Sequence, residues 1–483
     1  MIDEKYMDEI GFTFVKNEIE TCSPYGAELK RKLRFFKPEE RGLLLEELEN
    51  INKLCKAQEL PEYKKISHML MSLKDIRRSI VSIDSLTLNE IELFEIKRFL
   101  LQLDTIAPLF DTLNAKLELS GITINRISAA LDILDPEKKR NPAFMLSGAL
   151  SEKLSYAREQ KRLIELQINS CTDAKRRESL LLKRAEFVAM EDAEETALKR
   201  NLCMELRPYA QEMLSTVGSI AKLDFSMAKA ALAVKYGCPM PHITDKRLVL
   251  TNMFNPAVAY AIKSRSGGNF TPLSIELEMG ASVLTGANMG GKSIVLYTIA
   301  LNALCIQAGI FPFANSCEMP LFDNIYMVSG ATGDYNKGLS SFGSEITQLN
   351  DAISGIEASG FSLMLVDELA RGTNPDEGAA IVKGAVEYVC DMRCISLFAT
   401  HYDGVAPFAD RQYRVKGLCD TDMYGLKKRI DNSNKSRISI IEEAMSYGVY
   451  LVEDSSIVPH DALSICELLG TNPLLMNYIK KHY

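Results

Sequence analysis

Eight consecutive residues in the C-terminal half of this 483-residue chain have the types and spacing of a loop that binds nucleotide phosphates. Residues 286–293 read Gly-Ala-Asn-Met-Gly-Gly-Lys-Ser, a full match to the Walker A pattern Gly-x-x-x-x-Gly-Lys-Ser/Thr. Apolar stretches on both sides predict a strand before the loop and a helix after it. Glycines let backbone N–H groups turn inward, and the helix N-terminus adds positive potential for phosphate. We therefore expect ATP to be bound by Gly286, Asn288, Gly290, Gly291, Lys292 and Ser293.

Two adjacent carboxylates, Asp367 and Glu368, follow another apolar stretch, residues 362–366. Buried carboxylates are costly unless they meet a cation, so a pair at the end of a buried strand suits a Mg²⁺ site. We predict that Asp367 and the Ser293 hydroxyl bind Mg²⁺, and that Glu368 lies beside the attacking water as the catalytic base. Lys292 would reach the β- and γ-phosphates.

His401 ends a third apolar stretch, Leu-Phe-Ala-Thr-His at residues 397–401. A single histidine at a strand end is more often a packed or capping residue. However, parallel strands bind ligands at their carboxyl edge, which also makes His401 a candidate for sensing the γ-phosphate or polarising the water. Both interpretations stay open.

The composition is that of an ordinary globular protein, with 47% hydrophobic and 25% charged residues. There is no run of about 18 apolar residues and no apolar leader at the N-terminus. We therefore expect no membrane segment and a cytoplasmic location. Eleven cysteines without a Cys-x-x-Cys pair predict reduced thiols. The net charge of −8 argues against nucleic-acid binding but does not exclude it, because local patches matter more than the total.

Hydrophobic periodicity divides the chain into three parts. Residues 1–105 predict an N-terminal helical segment. Residues 106–239 predict a helical core with long arm helices, because residues 151–214 contain no glycine and a single proline. In residues 240–483, β-branched stretches alternate with glycine-rich turns and helical stretches, which indicates an α/β domain. We expect a helical tail to close this domain from residue 446 onward.

Five motifs together resemble the MutS family, a branch of the ABC-type ATPases. They are Thr-Gly-Ala-Asn-Met-Gly-Gly-Lys-Ser (285–293), Gln-Ala-Gly-Ile-Phe-Pro-Phe-Ala (307–314), Leu-Ser-Ser-Phe (339–342), Asp-Glu-Leu-Ala-Arg-Gly-Thr (367–373) and Ala-Thr-His-Tyr (399–402). All five occur in the family's order. The resemblance implies an α+β protein, in which a mainly helical N-terminal half of core, lever and arm helices precedes an α/β P-loop ABC-type ATPase domain.

The resemblance also implies a dimer, either a homodimer or a heterodimer of paralogues. In such proteins the ATPase domains pair head to tail, so Ser340 would contact the γ-phosphate of nucleotide bound by the other subunit. A helix N-cap is an equally compatible role for Ser340. Mismatch-recognising members carry a Phe-x-Glu motif, which does not occur in this chain. We therefore expect a short form that lacks the mismatch-recognition domain.

Two functions follow from this resemblance. The first is an ATP-dependent dimeric clamp that acts on DNA in repair or recombination, with the basic residues of segment 175–184 touching phosphates. A solvated helix face is the simpler interpretation of that segment. The second is a protein-remodelling ATPase, such as a reactivase of an adenosylcobalamin-dependent aminomutase, which the acidic balance favours. A degenerate ATP-binding scaffold is disfavoured, because Lys292, Ser293, Asp367 and Glu368 are all present.

Overall fold

The computed structural model describes residues 4–141, 151–286, 290–330, 341–417, 422–431, 437, 440, 446–452 and 461–482. These residues form an α+β protein, as the sequence predicts. The chain divides into two compact units. The first, which we call the sheet unit, comprises Met1–Ile19, Arg34–Glu49 and Leu232–Tyr483. The second, the helical unit, comprises Glu20–Leu33 and Asn50–Ala231.

The first half of the chain is helical. In chain order its helices are α1 Glu4–Glu9, α2 Phe12–Glu18, α3 Pro24–Arg31, α4 Arg41–Ala57, α5 Pro61–Leu70, α6 Arg77–Ser82, α7 Glu90–Leu117, α8 Ser128–Leu134, α9 Glu152–Ser170, α10 Ala174–Leu206 and α11 Ala210–Tyr236. None of the helices in the described ranges is long and apolar enough to cross a membrane.

Helix α7 illustrates how the sequence builds the helical unit. A capping box fixes its start: the Asn89 side chain accepts from the N–H of Glu92, whose carboxylate accepts from the N–H of Asn89. Apolar residues at helical spacing, including Leu93, Ile96 and Leu100, form its buried face. This face packs against α5, α6 and α8.

Helices α9 and α10 form an antiparallel pair that we call the arm hairpin, in agreement with the long helices predicted there. Ser151 caps α9 and Asp173 caps α10, each through a side-chain oxygen that accepts a backbone N–H. Ion pairs link the two helices along their length, among them Arg158 with Glu191 and Arg184 with Glu165. Charged residues rather than a wide apolar stripe therefore cover most of this hairpin.

The sheet unit adds strands to helices. Its elements are β1 His242–Ile243, β2 Arg247–Met253, α12 Pro256–Ser266, β3 Leu273–Glu278, β4 Gly280–Thr285, α13 Lys292–Gln307, β5 Ser316–Met319, β6 Asn324–Ser329, α14 Ser341–Ser359, β7 Ser362–Asp367, α15 Pro375–Cys390, β8 Cys394–Ala399, β9 Arg411–Gly417, α16 Met423–Asp431 and β10 Ser446–Leu451. Two further helices, Asp461–Leu469 and Pro473–His482, complete the described chain.

These strands form two sheets. The smaller has the order β1-β5-β2-β3, and the larger has the order β10-β9-β4-β8-β7-β6. In the larger sheet β9, β4, β8, β7 and β6 are parallel neighbours, and every residue of β4, β7 and β8 is buried. Helices α14 and α15 cover one face and share a core with β4, β7 and β8 that includes Val283, Val366 and Phe398.

The tail differs in one element from the helical segment expected from residue 446. Residues Ser446–Leu451 form a strand, β10, which pairs antiparallel with β9 at the edge of the larger sheet. Val449 and Tyr450 have high β propensity, and pairing satisfies backbone groups that an open edge strand leaves free. The prediction of a helix was therefore wrong for this stretch, while helices do follow it at Asp461–Leu469 and Pro473–His482.

The N-terminal residues of the sheet unit pack against elements more than 240 residues away in sequence. The Asn255 side chain donates to the carbonyl of Ile10, and the Gln307 side chain donates to the carbonyl of Phe36. The N–H of Phe36 in turn donates to the carbonyl of Gln307. The expected boundaries at residues 105 and 239 stay a prediction; the two compact units group the chain differently, with the first residues beside the strands.

Candidate nucleotide-binding site

The predicted site residues meet at one edge of the larger sheet. In register, Leu284 of β4 and Asp367 of β7 both pair with Ala399 of β8, and the strands are parallel. Their carboxyl ends therefore lie side by side, with the Walker A loop after β4, the acidic pair at the end of β7 and His401 just after β8. This is the edge at which open α/β sheets bind ligands.

The loop after β4 approaches the next strand closely. Gly286 has φ 137°, and a Cβ at this position would lie 3.2 Å from the carbonyl oxygen of Val415 in β9. Gly291 has φ 84° and lies immediately before α13, which begins at Lys292. Glycine is suited to both positions because it lacks a Cβ. The N-terminus of α13 thus lies at this loop, and a helix N-terminus presents backbone N–H groups and a positive dipole end to anions.

The Lys292 side chain is buried, with 3% of its surface exposed. Its Nζ donates to the carbonyl oxygen of Gly286 at 2.8 Å and lies 3.7 Å from Oε1 of Glu368. Burial lowers the pKa of Lys292, and the charges of Glu368 and Asp367 oppose this shift. A bound phosphate would add a further anion beside an ammonium group that has lost most of its water.

The Asp367 carboxyl group fits a magnesium ligand. Burial raises its pKa, and a hydrogen bond with the Ser293 side chain acts against that shift. Its Oδ1 is buried and has no hydrogen-bond partner. Buried acceptors are normally satisfied, so this free oxygen beside a serine hydroxyl suits a cation. No cluster of three or more His, Cys, Asp or Glu side chains among the described residues is placed to hold a metal; Mg²⁺ typically takes one or two protein ligands plus phosphate and water.

Glu368 has an uncommon backbone conformation for a residue with a side chain, with φ 47°. Its N–H donates to the carbonyl of Ala399, which ties it to the end of β8. Its Oε2 accepts from Arg371 at 2.9 Å, and its Oε1 faces Lys292. Backbone strain of this kind concentrates at functional sites.

His401 lies at the mouth of the site, where its side chain reaches solvent. The part of the ring that packs into the site loses water, which lowers the pKa of the imidazole, and Glu368 opposes this shift. The ring stacks at a tilt on Tyr402, with centroids 4.4 Å apart. The geometry therefore favours a neutral imidazole at pH 7.

The structure brings together most of the residues predicted for this site. Gly286, Gly290, Gly291, Lys292, Ser293, Asp367, Glu368 and His401 are all described at the carboxyl edge. Asn288 and Ser340 lie outside the described residues, so their roles stay predictions.

The sequence analysis did not single out Glu345 of α14. This residue is buried, and its Oε2 accepts from the N–H of Ala370, just after the acidic pair. One signal in the sequence could have found it: an acid at helical spacing from Leu349 and Ile356 falls on the apolar face of α14.

A glycine-rich loop between a buried parallel strand and a helix, beside an acidic strand end, is typical of P-loop nucleotide-binding proteins. Residues 282–467 match the family model of MutS domain V. This match confirms the resemblance of the motifs to the MutS family.

Individual relatives agree with this resemblance. The DNA mismatch repair protein MutS of Chloroflexus aurantiacus is 32% identical over 270 residues, which cover 54% of this chain and 27% of the relative. Endonuclease MutS2 of Ruminiclostridium cellulolyticum is 31% identical over 223 residues, 45% of this chain and 27% of the relative. The DNA mismatch repair protein Msh3 of Dictyostelium discoideum is 36% identical over 194 residues, 38% of this chain and 13% of the relative. The match thus spans about a quarter or less of the length of these relatives.

Proposed function

We propose that this protein is a MutS-type, Mg²⁺-dependent ATP hydrolase whose nucleotide state controls how it binds DNA. One observation carries the ATPase part. The buried Lys292 ammonium, the unpartnered Oδ1 of Asp367 and the Glu368 carboxylate all lie at the end of parallel strands, next to the N-terminus of α13.

Each residue has a distinct role in this proposal. Lys292 and the N–H groups of the loop bind the β- and γ-phosphates, while Ser293 and Asp367 hold Mg²⁺, which neutralises phosphate charge. Glu368 orients the attacking water and accepts its proton. His401 stays neutral and contacts the γ-phosphate or the water from the mouth of the site.

The expected dimer is part of the same proposal. Ser340 lies directly before α14, and it would reach the γ-phosphate in the site of the other subunit. A homodimer or a heterodimer of paralogues would then hydrolyse ATP only when two sheet units pair. If the active form is a dimer, the ATPase activity per mole of protein should rise with protein concentration while the protein is mostly monomeric, and it should vanish on dilution. Activity per mole that stays constant on dilution would contradict this part of the proposal.

The arm hairpin is the proposed DNA-binding element. Lys175, Arg176, Arg177 and Lys183 are exposed on α10 near the turn of the hairpin. Exposed lysine and arginine side chains bind phosphate groups by releasing counterions, so affinity should fall steeply with salt. Two relatives, the MutS of Chloroflexus aurantiacus and the Msh3 of Dictyostelium discoideum, are DNA mismatch repair proteins, which agrees with a DNA role.

A second candidate, a protein-remodelling ATPase, rests on the same hairpin. Near its turn, at least half of the surface of each of three leucines is exposed: Leu166, Leu181 and Leu182. Exposed apolar side chains that cluster with mixed charges are typical of surfaces that bind proteins. A reactivase of an adenosylcobalamin-dependent aminomutase would be one function of this class.

Two measurements test these proposals together. The first is ATP hydrolysis with and without Mg²⁺; its absence in the wild type would overturn the ATPase assignment. The second is binding to linear, mismatched and branched DNA at two salt concentrations, with and without ATP. Nucleotide-dependent binding that falls steeply with salt supports the clamp.

Matched variants of the arm hairpin separate the two candidates. Lys175→Glu with Arg176→Glu should weaken a DNA clamp strongly, whereas Leu181→Ser with Leu182→Ser should leave its DNA affinity unchanged. If the hairpin binds a protein client instead, Leu181→Ser with Leu182→Ser should weaken binding of that client, and Lys175→Glu with Arg176→Glu should change it little. ATP hydrolysis without DNA binding would move the assignment to the protein-remodelling function.

A further inference from the structure

The turn after β7 is held in a strained conformation. Glu368 has φ 47° and Ala370 has φ 62°, so two residues with side chains lie in the left-handed region within three positions. Ala370 is fully buried. Such a conformation persists only where the surrounding structure holds it.

Two side chains hold Ala370 from opposite ends of its backbone. The Oε2 of Glu345 accepts from the Ala370 N–H at 2.7 Å, and the Oη of Tyr402 donates to the Ala370 carbonyl at 2.7 Å. Both bonds are buried. We call this arrangement the Ala370 clamp.

Close backbone approaches leave these two side chains little freedom. A Cβ at Gly330, which follows β6, would overlap the Oε1 of Glu345. A Cβ at Gly378 in α15 would overlap the Oη of Tyr402. Glycine at both positions lets the backbone pack directly against the two groups that hold Ala370.

The clamp acts on residues that flank it in the site. Glu368 lies two positions before Ala370, and Arg371, which pairs with the Glu368 carboxylate at 2.9 Å, follows it directly. Tyr402 also neighbours His401, and its N–H donates to the Thr400 hydroxyl at 3.0 Å. Fixing the Ala370 peptide therefore fixes the direction from which Glu368 reaches the space beside Lys292.

We propose that Glu345 and Tyr402 are positioning residues for Glu368, and that Glu345 ties the catalytic turn to α14. This inference rests on the proposed ATPase activity. Glu345 lies near the start of α14, so a displacement of this helix would move the acceptor of the Ala370 N–H.

The test compares variants that break one bond of the clamp with a variant that keeps it. Glu345→Leu removes the acceptor, and Tyr402→Phe removes only the hydroxyl. Glu345→Gln is the matched control, because its amide oxygen can still accept from the Ala370 N–H. Burial raises the pKa of Glu345, and the hydrogen bond from the Ala370 N–H opposes this shift.

The measurements are kcat and KM for ATP, affinity for a non-hydrolysable ATP analogue, and the thermal midpoint. Misplacing a catalytic group by about 1 Å costs up to about 100-fold in rate. We expect Glu345→Leu and Tyr402→Phe to lower kcat at least about tenfold with KM and analogue affinity nearly unchanged. Glu345→Gln should remain within about twofold of the wild type.

The outcomes separate this inference from the proposed function. If the wild type hydrolyses ATP and the Tyr402→Phe and Glu345→Leu variants have the same kcat as the wild type, the positioning role of the clamp is overturned. The ATPase assignment then still stands. A parallel loss of analogue affinity in both variants would also overturn the positioning role, because the residues would then shape the binding site rather than position Glu368. A wild type without Mg²⁺-dependent hydrolysis overturns both.

Discussion

The arm hairpin and the carboxyl edge of the larger sheet both carry many charged side chains, but in opposite surroundings. In the hairpin, Arg184 and Glu165 pair at 2.8 Å with about 40% of each side chain exposed. At the sheet edge, Lys292 and Glu345 are 3% and 2% exposed. Water screens the first kind of charge and is excluded from the second. Substitutions at the edge should therefore change ATP binding and hydrolysis strongly, whereas breaking an exposed ion pair on the hairpin should change the free energy of unfolding little.

The largest effect is expected for Glu368→Gln. Loss of a general base lowers the rate by about 10²–10⁴-fold, while an amide of the same size leaves the phosphate contacts intact. Single-turnover ATP hydrolysis should therefore fall steeply, and nucleotide affinity should remain near that of the wild type. Glu357→Gln, an exposed substitution on α14, is the control and should be neutral. Turnover at the wild-type rate in Glu368→Gln would remove Glu368 from the mechanism.

Lys292→Ala should act on binding rather than on the chemical step alone. Truncating one partner of a buried charge pair costs about 2–5 kcal/mol of binding free energy. We expect titration with a fluorescent ATP analogue to show at least about a tenfold loss of affinity. Lys263→Ala on the exposed face of α12 provides the control. Unchanged affinity in Lys292→Ala, in a protein that unfolds at the wild-type temperature, would contradict the phosphate-binding role.

Glu191→Gln tests an ion pair on the inner side of the arm hairpin. The exposure of its charged groups lies between that of the outer hairpin surface and that of the sheet edge. Burial acts to raise the pKa of Glu191, but hydrogen bonds from Lys161 and Arg158 outweigh it and hold the pKa below its ordinary value. A lowered folded-state pKa stabilises the protein above the ordinary value and loses this effect as the pH falls. We expect Glu191→Gln to cost about 1 kcal/mol at neutral pH, measured by urea unfolding.

The same variant should approach wild-type stability well below the ordinary pKa of 4.5. Glu165→Gln is the matched substitution on the outer side of the hairpin, because its partner Arg184 is exposed. It should change the free energy of unfolding by less than about 0.5 kcal/mol. Equal losses for Glu191→Gln and Glu165→Gln would show that exposure does not separate these ion pairs.

Local sequence patterns predicted most of the residues that lie at the candidate site. The strand predicted before the Walker A loop is β4, the apolar stretch 362–366 lies within β7, and the apolar stretch 397–401 overlaps the end of β8. A glycine-rich loop, an acidic pair and a histidine each follow one of these strands, and parallel pairing then has to bring them together. The stretch from residue 446 was harder, since a strand that completes a sheet edge depends on β9 as its partner.

Sequence alone determined the chemical groups of the site, because the Walker A loop and the acidic pair are contiguous motifs whose geometry follows from short-range backbone rules. Only the tertiary structure showed that Glu345 and Tyr402 form hydrogen bonds with the backbone of Ala370. The same holds for the hydrogen bonds of Asn255 with Ile10 and of Gln307 with Phe36. These bonds join residues far apart in the chain, and no periodicity along the sequence records which distant donor and acceptor will meet when the core closes.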